Sequence, residues 1–145
     1  MNTANHSEKL PLWFWICTGL GLAWNLFGLA QFLGSLNATQ DSLMAGGLTA
    51  DQAAVMLGYP AWMTVAFAVG VLGGTLGCVL LGLRKALAIP VFAASLLGYI
   101  LLWIGDALHG VFAALGTPQI VVLTMVVAIA LALLLLARRF SAALR

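Results

Sequence analysis

Asp106 and His109 stand three residues apart in a stretch that is otherwise almost wholly apolar. On a helix that spacing brings two side chains to one face, one turn apart. An ionisable group inside a membrane helix costs enough free energy that it marks a functional candidate by default, and histidine exchanges its proton near neutrality. The chemistry this pair suggests is therefore proton exchange. Four further polar or aromatic residues complete the candidate ligand-binding or proton-linked set. Asp106 and Gln31 each lie 19 residues from the inner start of their segments, which puts both about 28 Å from that face at about 1.5 Å per residue. Asn25 is deeper, near mid-membrane, while Tyr99 and Trp103 supply an aromatic wall of the type on which sugars or amphiphiles stack. Thr64 and Thr124 reach the same outer level.

Two readings of these residues stand side by side. In one, Asp106 and His109 sit at the base of an outward-facing vestibule with Gln31, Asn25, Tyr99 and Trp103 around them. In the other, Asp106 and His109 mark the end of a helix in headgroup water, and Asn25 is interhelical glue worth about 0.6–2 kcal/mol.

Other chemistries find no support. The second histidine, His6, precedes the first apolar segment and so falls on the opposite face from His109, which rules out bis-histidine haem ligation within one chain. The acidic residues are too scattered for a metal site, and Cys17 and Cys78 lack Cys-x-x-Cys or Cys/His spacing. They read as small apolar packing residues at equal depth. A Ser/His/Asp hydrolase would have to recruit Ser95, about 16 Å below Asp106 on the same helix. No catalytic residue and no cofactor is expected, and the protein reads as a non-enzyme.

The elements that must position these residues follow from composition. Of 145 residues, 63% are hydrophobic and 7% charged, against about 25% charged in a soluble domain. Crossing a bilayer takes about 20 mostly apolar residues, and four such stretches occur, at about 12–36, 60–83, 87–111 and 118–138. The expected fold is one all-α transmembrane domain over residues 1–145, a polytopic four-helix bundle. The first stretch is too long and too weakly charged at its start for a signal peptide, and no Ala-x-Ala site follows it. Between the first two spans, residues 37–47 read as a flexible loop broken by Gly46-Gly47. Thr49-Ala-Asp-Gln52 has the form of a capping box and predicts a short outer helix over 50–57 that stops at Gly58.

The second span carries Gly70, Gly73, Gly74 and Gly77. In lipid no hydrophobic force distinguishes a helix from an acyl chain, so close backbone approach at small residues drives packing. This span is the expected spine of the bundle, with packing inside the chain preferred over a homodimer or a partner membrane protein.

All six Lys and Arg residues fall on one side of the pattern: Lys9, Arg84, Lys85, Arg138, Arg139 and Arg145. Short loops rich in Lys and Arg stay cytoplasmic, which predicts both termini inside. The net charge of +2 belongs to these anchors, which contact acidic lipid headgroups. No basic patch with interleaved aromatics suggests nucleic acid.

The run Trp24-Asn25-Leu-Phe-Gly28, then Pro60-Ala-Trp62, then Gly73-Gly74-Thr-Leu-Gly77 ending in Leu83-Arg84-Lys85, resembles a group of small four-helix bacterial membrane proteins, often labelled "sugar transporter" or uncharacterised. The resemblance covers about residues 12–98 and implies a bacterial inner-membrane protein. Two functions are weighed: a small-solute transport or binding component, for a sugar or an amphiphile, and a non-catalytic accessory or structural subunit of a membrane complex.

Overall fold

The computed structural model describes residues 9–145, so His6 and the polar residues 1–8 lie outside the described residues. Four long apolar helices run Leu12–Leu36 (α1), Ala61–Gly82 (α4), Ala88–Leu108 (α5) and Thr117–Arg139 (α7). Each is long and apolar enough to cross a bilayer. The protein is an all-helical, integral membrane bundle, with no strand among the described residues.

Pro11 and Pro60 cap α1 and α4, and Pro118 lies in the first turn of α7. At these positions the missing proline N–H would have found no helical partner in any case. The connection between α1 and α4 holds two short helices, Gln40–Ala45 (α2) and Ala50–Leu57 (α3). Helix α3 begins as its capping box predicts: the Gln52 amide donates to the Thr49 hydroxyl at 3.2 Å and Thr49 N–H to Gln52 Oε1 at 3.0 Å. Helix α2 corrects the expectation of a flexible loop. Thr39 and Ser42 cap each other reciprocally, at 3.1 and 2.9 Å, so serine does at the third position what glutamate or glutamine usually does. The next correction lies after α5, which ends at Leu108 rather than near residue 111. Gly110 turns left-handed at φ +75° and starts a further short helix, Val111–Leu115 (α6). Helices α3 and α6 form a roof over one end of the bundle, tied where Gln52 Nε2 donates to the Ala114 carbonyl at 3.1 Å. Ala53 and Val111 are buried beneath it.

The glycines of α4 decide the helix spacing. A Cβ on Gly70 would meet the Tyr99 ring at 2.5 Å, one on Gly77 the Phe92 ring at 2.6 Å, and one on Gly73 the Ser95 Cβ at 3.0 Å. These three positions therefore face α5. Gly74 faces the other way, and its Cβ would collide with the Asn25 carboxamide of α1. Helix α4 thus sits between α1 and α5, while α7 packs along α5 and meets α1 more sparsely.

At the opposite end from the roof, Phe14, Leu81, Ala88, Phe92 and Leu136 form one buried cluster. Arg139 lies 5.5 Å over the Trp13 ring, and Phe140 packs edge-on against both Trp13 and Phe14. Residues 144–145 return across the α4–α5 turn, where Arg145 N–H donates to Arg84 O and Ala86 N–H to Arg145 O, each at 2.8 Å. The six basic residues consequently gather at one end of the bundle. Cys17 faces outward from α1 and Cys78 is buried, both as free thiols, so equal depth does not bring them together.

Candidate functional site

Asp106 is fully buried in the last turn of α5. Its Oδ1 accepts a hydrogen bond from the Tyr59 hydroxyl at 2.6 Å, and its Oδ2 accepts from Gln119 Nε2 at 3.0 Å. Tyr59 directly precedes Pro60, the cap of α4, and Gln119 lies in the first turn of α7. One carboxyl therefore clasps the roofed ends of three membrane helices. No Lys or Arg shares this end of the bundle, and the polar partners of the carboxyl are the Tyr59 hydroxyl and the Gln119 amide. The Tyr59 phenol is pushed above its ordinary value, first by burial and then by its hydrogen bond to Asp106. It remains a donor at neutral pH.

His109 is not among the hydrogen-bond partners of Asp106. It is the first residue beyond α5, exposed, with its ring centroid 5.9 Å from that of Trp62. The i, i+3 geometry holds within a helix, and this helix ends one residue too early. Gln31 shares the depth of Asp106 but points outward from α1. The buried stripe of that helix is Phe14, Thr18, Gly21, Asn25 and Phe32, and Gln31 is about 100° off it by helical geometry. Trp103 donates from Nε1 to the Thr124 hydroxyl at 3.1 Å and packs edge-on against Phe112 of the roof. It braces α5 against α7 and α6.

A second polar group lies at mid-depth. Asn25, 3% exposed, donates from Nδ2 to the Gly21 carbonyl at 2.8 Å. Its Oδ1 accepts from the Tyr99 hydroxyl at 3.5 Å, the long limit of a hydrogen bond. Nearby, the Ser95 hydroxyl donates to Gly70 O at 2.6 Å, a side-chain bond between α5 and α4. Asn25, Ser95 and Tyr99 line a crevice between the four long helices that is too narrow to hold a water molecule. The six residues singled out from sequence thus separate into an outer level and a middle level. Asp106 and Trp103 stand at the first, Asn25 and Tyr99 at the second, and Gln31 and His109 on the outside.

Sequence reasoning missed Tyr59 and Gln119, the two partners that define the site at the roofed end. A usable signal existed: each lies beside a proline that opens a long helix at the level where α5 ends. Among the described residues no group of three or more His, Cys, Asp or Glu side chains converges as metal ligands would. Compared with protein-family models, with curated proteins and with solved structures, the chain finds no match.

Proposed function

We propose that the protein is a small-solute transport or binding component of the bacterial inner membrane in which Asp106 is the proton-linked group. The observation that carries this reading is a carboxyl with no measurable exposure, free of any neighbouring cation, held between Tyr59 and Gln119 at the outer ends of α4, α5 and α7. A carboxyl so placed is costly to keep in a membrane protein that has no use for it. Protonating it converts an acceptor of two hydrogen bonds into a group that must also donate, and the clasp on three helix ends is then rearranged. That is a means of coupling a proton to opening from the outside. The gathering of all basic residues at the other end supports an orientation with that end and both termini in the cytoplasm.

A second reading is supported by the closed middle of the bundle, where the crevice admits no water. A non-catalytic accessory subunit needs no cavity and would use its outer faces against a partner membrane protein or a second copy.

Thermal-shift screening of sugars, amphiphiles and small cations supplies candidate ligands, and Asp106→Asn then separates the readings. The transport reading expects ligand binding or proton-linked uptake to be lost while expression and fold persist, because the amide keeps the shape and removes the charge. Equal binding by wild type and Asp106→Asn would leave the carboxyl as a structural clasp and favour the accessory role.

A further inference from the structure

The mid-depth crevice has a chemistry of its own. The seam between α1 and α7 is sparser than those joining α1 to α4, α4 to α5 and α5 to α7. On the inner side it is closed where Leu133 covers Gly21, whose absent Cβ would lie 2.7 Å from the leucine. On the outer side it is closed by the cluster of Phe32, Ala130 and Leu29. Between these plugs the crevice is lined by Trp24 and Asn25 on one side and by Ile129 and Ala130 on the other, with Tyr99 behind. Trp24 and Ile129 are only half-buried and form its rim toward the bilayer.

Inside it, Asn25 Oδ1 is weakly satisfied. Its acceptor capacity is met by one hydroxyl at 3.5 Å in a residue that is 97% buried, its exposure being 3%. A buried acceptor in this condition carries much of its desolvation penalty uncompensated. A ligand hydroxyl placed here would donate to Asn25 Oδ1 and accept from Tyr99. The other polar group of the lining, the Ser95 hydroxyl, already donates to Gly70 O, so one donor–acceptor pair is available and the remaining lining is apolar. Asn25 lies 13 residues into α1, about 20 Å from its inner end, a depth that phospholipid headgroups do not reach.

We infer that the seam between α1 and α7 admits, sideways from the bilayer, a long-chain amphiphile carrying a single uncharged hydroxyl, which exchanges hydrogen bonds with Asn25 and Tyr99. This rests on the transport or binding reading and names the substrate class for it. Entry requires Trp24 to swing off the rim and the seam to widen, since the crevice is closed to water in this conformation. The Asp106 clasp holds α4, α5 and α7 and leaves out α1, which packs on α4 through Asn25 and Gly74, so widening the seam means parting α1 from α7.

The test uses the full chain in lipid nanodiscs with 11-bromo-1-undecanol as probe, because bromine quenches tryptophan fluorescence on contact. 1-Bromoundecane, which lacks the hydroxyl, is the control for partition into lipid. Wild type should show saturable quenching by the alcohol, absent in Trp24→Phe, and linear quenching by the bromoalkane. Asn25→Leu should raise the half-saturating alcohol fraction at least tenfold. Tyr99→Phe, which keeps the ring over Gly70, should raise it severalfold and serves if Asn25→Leu does not fold. Alcohol and bromoalkane quenching wild type alike would overturn the inference. If a water-soluble solute nevertheless binds in an Asp106-dependent manner, the transport reading survives without this ligand class. If neither binds, both fall.

Discussion

The Tyr59 hydroxyl lies 2.6 Å from Oδ1 of Asp106, across 47 positions of sequence. It joins the residue that ends the roof connection to the last turn of α5. With Gln119 on the second oxygen, the contact explains how an acidic side chain can be enclosed at a helix end that depth alone would assign to headgroup water.

Removing the phenol tests that relationship. Tyr59→Phe deletes a donor to a buried carboxyl, and leaving a buried acceptor without its partner costs about 1–3 kcal/mol. Thermal unfolding in detergent should show a loss in that range. The pH dependence carries a second signature. The folded-state phenol is raised above its ordinary value of 10.0, so the folded state holds the proton more tightly than the unfolded state. Stability from this source is fully present below about pH 10 and falls as pH rises beyond it. Tyr59→Phe should flatten that alkaline slope relative to wild type.

Two glutamines at similar depth should behave in opposite ways. Gln119→Leu leaves an Asp106 oxygen without its donor and should cost about 1–3 kcal/mol. Gln31→Leu replaces an outward-facing side chain on α1 and should change stability by no more than about 0.5 kcal/mol. Comparable losses in both melting curves would mean that Gln31 has a partner in the membrane.

Helix α4 tolerates no side chain at its contact glycines. Gly74→Leu drives into the Asn25 carboxamide and Gly70→Leu into the Tyr99 ring. Overpacking of this kind costs about 1–3 kcal/mol. Both variants should melt earlier in detergent than Gly82→Leu, where a Cβ meets nothing within 4 Å.

The orientation can be read by labelling. In a background of Cys17→Ser and Cys78→Ala, Ala45→Cys lies in the outer connection and Ala142→Cys near the basic end, both at exposed positions. Membrane-impermeant maleimide should reach residue 45 from outside the cell and residue 142 only after the inner face is opened. The reverse pattern would invert the bundle and place the Asp106 clasp in the cytoplasm.

Hydropathy made the four long helices legible, and the Thr49–Gln52 capping box did the same for α3, because both signals are local. Helix α2 was hidden because its cap uses serine at the third position. The candidate site was legible in level and obscure in direction. Counting residues from the inner face gives depth, and on that measure Gln31 and Asp106 belong together. What sets them apart is azimuth, and the spacing of Phe14, Thr18, Gly21, Asn25 and Phe32 already turns Gln31 away from the bundle. His109 was misplaced for another reason: α5 stops at Leu108, a boundary fixed by the left-handed turn at Gly110 that periodicity does not report. Tyr59 and Gln119 come from other helices, and such long-range partners are set by tertiary packing.

The central claim is that Asp106 exchanges its proton with the outer side, and dicyclohexylcarbodiimide tests it without knowledge of a ligand. A protonated carboxyl adds across one C=N bond of this lipid-soluble reagent, and the O-acylisourea rearranges to a stable N-acylurea that peptide mass spectrometry can place on Asp106. In proteoliposomes with fixed internal pH, the account predicts modification at Asp106 whose rate falls as external pH rises, and none at that position in Asp106→Asn. No modification of Asp106 in the folded protein, or a rate indifferent to external pH, would contradict the account and leave Tyr59, Asp106 and Gln119 as a fixed structural clasp.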